Sequence, residues 1–193
     1  VALRSRPELA EKPVVTAAHV IVTCANYPAR ALGIHAAMLV GDALRLCPEL
    51  VVIDVPRSEV EEVGDALYDL FHEIAERVEP GSIEEAFLDT SSLTWLEAEQ
   101  AANQLRERAA AELGIAVSVG IGRTKLMAKL ASRAAKPRGL HVIDASKEAD
   151  LRVTLPINQV WGVGARTLAR LTDLGVQQLS DLDGVPAAEL DLT

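Results

Sequence analysis

Two adjacent acids interrupt an otherwise apolar stretch of the sequence, "VEPGSIEEAFLDTSS" at residues 78–92. Glu84 and Glu85 stand side by side, and Asp89 follows farther along the same stretch. A buried carboxylate without a cation, a proton or strong hydrogen-bond donors is costly, because the water that it loses outweighs the packing that it gains. The acids therefore either face solvent in a turn or lie beside something positive, and this stretch alone leaves both interpretations open.

Metal binding is the chemistry that this pair of acids would serve. Carboxylates brought to one point suit hard cations such as Mg²⁺, which take oxygen ligands and commonly bridge to substrate phosphates. Two such ions stabilise the attacking and leaving oxygens of a phosphoryl transfer. Consecutive residues on a regular strand point to opposite faces, so Glu84 and Glu85 share one site only if the backbone bends. The preceding Pro80 and Gly81 permit that bend and predict a hairpin between "RVE" and "EAFLD".

A basic segment lies farther along the chain, at residues 122–139. It holds six basic residues and no acid, although the whole chain has 19 basic and 28 acidic residues. The six are Arg123, Lys125, Lys129, Arg133, Lys136 and Arg138. For Lys129 and Arg133, one helical turn apart, the solvated face of an amphipathic helix is the competing interpretation. Lys136 differs because it precedes Pro137 in a loop that leads into a strand, where a point charge can be held toward a phosphate.

Two further patterns have the chemistry to meet an anion. Tyr27 and Arg30 in "ANYPAR" place a phenol and a guanidinium on one short turn, which suits an anion clamp, although the same pair also fits an ordinary surface. Gly162 and Gly164 in "WGVGA" resemble the turn of a helix-hairpin-helix, where backbone N–H groups approach a phosphate. An ordinary glycine turn between helices is the alternative.

Composition limits the class of protein. At 193 residues, with 49% hydrophobic and 24% charged residues, the chain has the balance of a globular protein with one large or two small domains. A net charge of −9 argues against indiscriminate coating of nucleic acid. The sequence has neither an apolar run of about 20 residues nor the apolar core of a secretion signal, so we predict no membrane contact and a cytoplasmic location.

Cysteine and histidine give no sign of a zinc site or a disulfide framework. Cys24 and Cys47 lack a CxxC partner, which argues against both. The histidines have no metal-ligand spacing and are expected at or near the surface: His19, His35, His72 and His141.

Hydrophobic periodicity predicts a small α/β block followed by a larger α+β region. Residues 19–24 and 50–54 are predicted strands, and the segment between them is predicted to be a short helical turn, a break at Gly33 and a helix. From Pro56 onward, apolar residues recur every three or four positions and predict a helix of about five turns. The order over residues 56–121 is then helix, strand, strand, helix, strand.

That order is the ferredoxin-like split βαβ pattern without its opening strand. A parallel crossover needs a strand before its helix, so the missing strand is either "LVVID" at residues 50–54 or a segment upstream of Val1. We expect it upstream of Val1, and we expect an α+β fold.

Caps and turns predict the remaining elements. Thr94 and Glu97 have the spacing of a capping box ahead of a helix that ends at Gly114. "IAVSVGI" predicts a strand, "TKLMAKLASRAA" a helix and "GLHVI" another strand.

Four stretches of the sequence together resemble the Y-family (DinB-type) translesion DNA polymerases. "NYPARALGIHAAM" resembles the fingers motif of that family, and "SIEEAFLD" resembles its palm carboxylate motif. "SVGIGRTKLMAKLASRAAKPRGLHVI" is similar to its palm helix-and-loop motif, and "LPINQVWGVGARTLARLTDLGVQQLSDL" is similar to its thumb. The resemblance runs from "RPELAEKPV" almost to the C-terminus, and the four motifs keep the order of the family.

The resemblance implies a domain order and an activity. Residues 1–55 would be a fingers-like region, residues 56–145 a ferredoxin-like palm, and residues 146–193 a thumb with the helix-hairpin-helix. The implied enzyme is a DNA-directed DNA polymerase of translesion synthesis and DNA repair, which transfers a nucleotide to a primer 3′ hydroxyl by a two-metal mechanism. The implied partners are primer-template DNA, deoxynucleoside triphosphates and a sliding clamp.

The resemblance also assigns roles to residues. Glu84 and Glu85 would be the catalytic acids and would hold two Mg²⁺ ions, with Mn²⁺ as an alternative. Tyr27, Arg30 and Lys136 would bind the incoming nucleotide. The residues that would touch the primer-template backbone are Gly162 and Gly164.

Two departures from the family pattern keep a second function open. The family opens with a short strand that carries an aspartate, followed by an aromatic residue that excludes ribonucleotides, and the sequence shows neither. The family also usually has aspartate at the position of Glu84. The alternative is therefore a catalytically impaired, polymerase-like accessory protein that binds DNA or repair partners. Another palm-type enzyme, such as a nucleotide cyclase, would leave the thumb-like segment unexplained.

Overall fold

The computed structural model describes residues 1–190, which fall into two compact units. The first unit comprises residues 1–89 and 108–115, and the second comprises residues 90–107 and those from 116 onward. No helix within the described residues is both long and apolar enough to span a membrane.

Strands and helices are interspersed along the chain. The strands are β1 Val14–Ala18, β2 Ile21–Ala25, β3 Val51–Ile53, β4 Val78–Ser82, β5 Glu85–Leu88, β6 Val119–Gly122 and β7 Leu140–Ile143. The helices are α1 Tyr27–Ala31, α2 Val40–Leu46, α3 Arg57–Ile74, α4 Trp95–Leu113, α5 Lys125–Ala134, α6 Ala145–Thr154 and α7 Ala165–Asp173. Short 3₁₀ helices cover Pro7–Leu9, Ile157–Gln159, Leu179–Gly184 and Ala187–Glu189.

A three-stranded sheet in the order β2-β1-β3 forms the N-terminal part of the first unit. β1 pairs antiparallel with β2 and parallel with β3. The sequence-based prediction missed β1. It also began β2 too early, because His19 takes a left-handed φ of 55° and turns the chain between the two strands. The core of this region consists of Val15, Val22, Ala25, Ala29, Ile34, Ala43, Cys47 and Leu50.

α3 is the predicted amphipathic helix after Pro56, and it is 18 residues long. Its buried residues repeat at the spacing from which the helix was predicted, and they are Val63, Leu67, Leu70 and Phe71. The helix ends where Ala75 becomes extended, and the Ala75 N–H closes the last turn by donating to the Phe71 carbonyl.

β4 and β5 form the predicted antiparallel hairpin, but its turn is not at Pro80 and Gly81. Both residues lie inside β4, and the chain reverses at Ile83 and Glu84. The strand register skips Gly81, which bulges out of the ladder as an extra residue. The bend that the adjacent acids require is therefore a bulge followed by a tight turn.

The predicted capping box begins α4. The Thr94 N–H donates to Glu97 Oε2 at 2.8 Å, and the Glu97 N–H donates to Thr94 Oγ1 at 3.3 Å. Gly114 follows the last helical residue with a φ of 63°. Both ends of this helix therefore lie where the sequence predicts them.

The parallel pair of β6 and β7 lies in the second unit, and α5 connects the two strands. Glycines in β6 let α5 pack directly on the strand. A Cβ at Gly120 would lie 2.0 Å from the backbone nitrogen of Ser132. A Cβ at Gly122 would lie 2.6 Å from the Cβ of Met127. A larger residue at either position would push the helix away from the strand.

The C-terminal part of the second unit is helical. Asp144 caps α6, a helix that was not predicted, by accepting from the Ser146 and Lys147 N–H groups at 3.0 Å each. A single 3₁₀ turn, Ile157–Gln159, and α7 flank the glycine turn of the predicted helix-hairpin-helix. The core of this region includes Ile157, Leu171 and Val176.

The fold is α+β, as predicted. The strands of the predicted palm form a hairpin in the first unit and a parallel pair in the second. The domain boundaries after residues 55 and 145 stay predictions. Residues 191–193 of the predicted thumb lie outside the described part of the chain.

Candidate functional site

The two adjacent acids lie at the tip of the β4–β5 hairpin. Glu84 is an exposed residue of the turn, and Glu85 is the half-buried first residue of β5. The Glu85 side chain lies over Gly81, since a Cβ added to that glycine would be 2.9 Å from Glu85 Oε1. The bulged glycine therefore makes room for a carboxylate that a larger side chain at position 81 would displace.

Asp89, the third acid of this stretch, stands apart from the pair. It follows the far end of β5, and its N–H donates to the Arg77 carbonyl at 3.0 Å. The Asp89 carboxylate lies 4.0 Å from the Arg77 guanidinium, and both side chains are exposed. The acids at the hairpin tip are therefore Glu84 and Glu85.

Tyr68 of α3, which the sequence did not single out, holds the hairpin tip. Its hydroxyl lies 3.2 Å from the Ser82 carbonyl oxygen and 3.3 Å from that of Glu85, and it donates to them. The Tyr68 ring meets Phe71 edge-on, with 5.3 Å between ring centroids. One side chain thus fixes the backbone on both sides of the turn.

The turn also approaches α3 through Ile83. A Cβ at Gly64 would lie 3.6 Å from Ile83 Cγ1, so the glycine lets this side chain come close to the helix. Gly64 and Tyr68 are one helical turn apart and share a face. The sequence could have indicated this contact through the glycine and the aromatic residue that lie four positions apart on α3.

Tyr27 and Arg30 lie on α1, directly after β2. Asn26 fixes this junction, because its Oδ1 accepts from the first turn of α1 at 3.1 Å and from the Val14 N–H at 3.0 Å. Arg30 Nε donates to the Ala25 carbonyl at 2.8 Å, and Tyr27 is 53% exposed. Asn26 is a second residue that the sequence analysis missed, although asparagine before a proline-containing helix start is a capping signal.

The remaining predicted site residues lie in the second unit. Lys136 is exposed and directly follows the C-cap of α5. Gly162 has a φ of 91°, a conformation that favours glycine. Gly164 is the N-cap of α7, and no side chain of the described residues caps the N-terminus of that nine-residue helix.

Lys129 and Arg133 of the basic segment tie α5 to the residues before the glycine turn. Lys129 Nζ lies 4.5 Å from the centroid of the Trp161 ring. Arg133 Nη1 donates to the Gln159 carbonyl at 3.2 Å. These two cations therefore have contacts inside the second unit, beyond the solvated helix face that was the competing interpretation.

Arg123 of the same segment is paired with Glu148. Arg123 Nε lies 2.8 Å from Glu148 Oε2, and only 14% of the Glu148 side chain is exposed. The hydrogen bond from Arg123, together with its charge, holds the pKa of Glu148 below its usual range. The charge of Arg123 is thus already balanced within the chain.

The metal-binding potential of the described residues is limited. Between residues 1 and 190, no group of three or more His, Cys, Asp or Glu side chains is arranged to hold a metal ion. Within the described residues, the hairpin tip offers two carboxylates, and Mg²⁺ commonly takes one or two carboxylates together with water and substrate oxygens.

Residues 1–133 match the protein-family model described as the impB/mucB/samB family, which covers more than half of the chain. The chain belongs to the impB/mucB/samB family. This membership confirms the resemblance to Y-family polymerases that the four sequence motifs indicated.

Curated relatives of the chain have names from DNA replication and repair. DNA polymerase IV 2 of Mesorhizobium japonicum is 38% identical over 178 residues, which are 91% of this chain and 43% of that protein. The DNA repair protein REV1 of Arabidopsis thaliana is 38% identical over 188 residues, which are 94% of this chain and 17% of that protein. The chain therefore spans about half or less of the length of these relatives.

Solved structures of the family share the fold. The insertion ternary complex of Dbh DNA polymerase has a TM-score of 0.91 and 28% identity, over 98% of this chain and 58% of that one. DinB from Sulfolobus solfataricus has a TM-score of 0.89 and 28% identity, over 98% of this chain and 57% of that one. The predicted fold class is confirmed by these structures.

Proposed function

We propose that this chain is the fingers, palm and thumb portion of a translesion DNA polymerase. The intact protein would transfer a nucleotide from a deoxynucleoside triphosphate to the 3′ hydroxyl of a primer. The observation that carries this proposal is the hairpin tip, where Glu84 and Glu85 stand together and Glu85 lies over Gly81. The likeness to the Dbh ternary complex and to DNA polymerase IV 2 supports it.

Glu84 and Glu85 fit Mg²⁺ as part of its ligand set. This ion is commonly bound by one or two carboxylates, with waters and substrate phosphates as the other ligands. Mn²⁺ accepts the same oxygen donors. A bound divalent metal ion would neutralise the negative charge that develops on the transferred phosphoryl group. Glu84 and Glu85 bring two carboxylates to the hairpin tip, and Tyr68 holds the backbone on the two sides of its turn.

The residues that the family resemblance assigns to the incoming triphosphate are Tyr27 and Arg30 of the first unit and Lys136 of the second. The bond from Arg30 Nε to the Ala25 carbonyl orients the guanidinium plane, and such a planar fork suits phosphate oxygens. The exposed phenol of Tyr27 adds a hydrogen-bond donor on the same turn. Lys136 adds a point charge that offsets the negative charge of the triphosphate.

The primer-template backbone would meet the glycine turn. Gly162 and Gly164 carry no side chain, and a Cβ at either would have nothing within 4 Å, so the backbone there is open to a phosphate. A sliding clamp is a further predicted partner, and a cytoplasmic location stays a prediction.

A polymerase-like accessory protein is the second candidate function. Glu84 stands where the family usually has aspartate, and the described residues offer two acids at the tip rather than a group of three. Such a protein would bind primer-template DNA or repair partners without adding nucleotides.

Primer extension by the intact protein with Mg²⁺ tests the proposed function. We expect Glu85→Ala to nearly abolish nucleotide addition and to leave the fold intact, with no fall in the unfolding temperature, since removal of one of two like charges relieves repulsion rather than opening a core. Glu84→Asp displaces its carboxylate by about 1 Å, and an error of that size changes the rate of a preorganised site by roughly a hundredfold. A slower Glu84→Asp enzyme would mean that the backbone is adapted to glutamate, and a faster one would mean that Glu84 impairs the site.

Glu62→Ala is the matched control, because Glu62 is an exposed acid on α3 and lies about half a helical turn from Gly64, the residue that approaches the hairpin turn. Its extension rate should equal that of the wild type. Equal rates in all of these variants would show that the acids at the tip carry no catalysis. A wild type that binds primer-template DNA but adds no nucleotide would favour the accessory function.

A further inference from the structure

The loop between α5 and β7 is held from two directions at one residue, Arg138. Its N–H donates to Ser118 Oγ at 3.0 Å, and its carbonyl accepts from Arg106 Nη2. Ser118 precedes β6, and Arg106 lies on α4. All three residues belong to the second unit. Side chains from outside the loop therefore bind both backbone polar groups of a single loop residue.

Arg138 has a conformation that needs such support. Its φ is 58°, in the left-handed region that disfavours residues with a Cβ. Conformations of this kind persist where the surroundings fix them, and they are concentrated in ligand-binding segments. The next residue, Gly139, is also constrained, because a Cβ there would lie 2.3 Å from the Ala135 carbonyl oxygen. These contacts give the loop one defined shape.

The guanidinium of Arg106 binds the backbone of this loop and makes no ion pair with the described residues. Its Nη1 donates to Asn103 Oδ1 at 2.8 Å, one turn earlier on α4, which orients the group. Its Nε is buried and has no hydrogen-bond partner among the described residues. A buried donor without a partner lowers stability, so the Nε group carries a cost, while the two Nη groups bond to Asn103 and to the Arg138 carbonyl.

Lys136 stands two residues before Arg138 in the same loop. We propose that Arg106 is a positioning residue for Lys136: by holding the Arg138 carbonyl, it keeps the loop in the one shape in which Lys136 meets the incoming nucleotide. The proposal rests on the proposed function, in which a deoxynucleoside triphosphate is the ligand of Lys136. Arg106 itself touches the loop backbone and not the nucleotide.

Amide hydrogen exchange tests whether Arg106 holds the loop, and it needs no catalytic activity. The reporters are the Arg138 N–H, bound to Ser118, and the Val119 N–H, bound to the Gly139 carbonyl at 3.0 Å. In Arg106→Ala, exchange at both amides should be faster by about tenfold or more, since local opening sets their protection. Arg106→Lys keeps a cation with a single donor nitrogen. Its exchange rates at the two amides should therefore lie between those of the wild type and Arg106→Ala.

Arg108→Ala is the matched control. Arg108 lies two residues along the same helix but pairs with Glu73 and Glu112 in the first unit. It should leave exchange at Arg138 and Val119 unchanged. Unchanged exchange in Arg106→Ala, or equal acceleration in both arginine variants, would overturn the proposal.

Binding of dATP to the intact protein on primer-template DNA tests the link to Lys136. Arg106→Ala should weaken dATP binding, by no more than Lys136→Ala does. In a protein that already carries Lys136→Ala, Arg106→Ala should cause no further loss of dATP affinity. A further loss in that background would overturn the positioning role, because Arg106 would then act on the nucleotide directly. If Lys136→Ala binds dATP as the wild type does, the proposed role of Lys136 fails, while hydrogen exchange still decides whether Arg106 holds the loop.

Discussion

One hydroxyl at the hairpin tip, that of Tyr68, bonds to the backbone carbonyls of Ser82 and Glu85, which lie on the two sides of the turn at Ile83 and Glu84. Tyr68→Phe removes this hydroxyl and keeps the ring that contacts Phe71. We expect the free energy of unfolding to fall by about 0.5–1.5 kcal/mol, the usual net value of one hydrogen bond. We also expect Mn²⁺ affinity at the tip to fall roughly tenfold, as when a residue that orients metal ligands is lost. Denaturant unfolding and Mn²⁺ titration by electron paramagnetic resonance measure the two effects.

The other tyrosine of the chain supplies the control for stability. Tyr27 is exposed, so Tyr27→Phe should leave the free energy of unfolding unchanged. If Tyr68→Phe lost stability but kept its Mn²⁺ affinity, Tyr68 would be a structural residue without influence on the tip.

At the scale of elements, carboxylates that cap helices make stability depend on pH. Asp144 caps α6, and hydrogen bonds from the Lys147 and Ser146 N–H groups, with the charge of Lys147, hold its pKa below the ordinary value of 3.8. A lowered pKa in the folded state adds stability above the ordinary pKa, and this stability is lost as the pH falls through the lowered value. The acid side of the stability profile should therefore depend on Asp144.

Asp144→Asn isolates this effect, because asparagine also caps helices well but does not titrate. We expect the wild type to have the higher thermal unfolding temperature at pH 7 and to lose that advantage as the pH falls below 3.8 and through the lowered pKa of Asp144. Thermal unfolding of both proteins across this range measures the difference. A constant difference at every pH would mean that the Asp144 carboxylate does not titrate with folding.

For the whole molecule, charge predicts weak and salt-dependent binding to DNA. The net charge is −9, and within the basic segment Arg123 is balanced by Glu148 while Lys129 and Arg133 contact Trp161 and Gln159. If about three or four cations meet phosphates, the logarithm of affinity should fall with the logarithm of salt at a slope of about −3. Fluorescence anisotropy of a labelled primer-template at several salt concentrations measures this slope.

Substitutions of two arginines in the second unit show which cations contribute to the salt dependence of DNA binding. Arg166 is exposed in the first turn of α7, beside Gly164, so Arg166→Ala should make the slope shallower by about 0.9. Arg123→Ala should leave the slope unchanged, because Glu148 already balances that charge. Tight binding that is independent of salt would contradict this account of the surface.

Local patterns in the sequence predicted much of the fold and part of the candidate site. The apolar spacing of α3, the capping box of α4 and the helix after Thr124 all depend on neighbours within a few residues, and each is present as predicted. β1 was missed because "VVTAA" is short and its role depends on pairing with β3, far along the chain. Pro80 and Gly81 indicated a turn, yet pairing across the hairpin makes Gly81 a bulge.

By itself, the sequence determined the family, the α+β class and the residue types that suit phosphoryl transfer, because motifs and periodicity are local properties of the chain. Only the tertiary structure decided how those residues are supported. Tyr68 meets Ser82 across 14 residues, and Arg106 meets Arg138 across 32. Contacts at such separations follow from the packing of helices against a hairpin or loop, and no spacing within a short window of sequence encodes them.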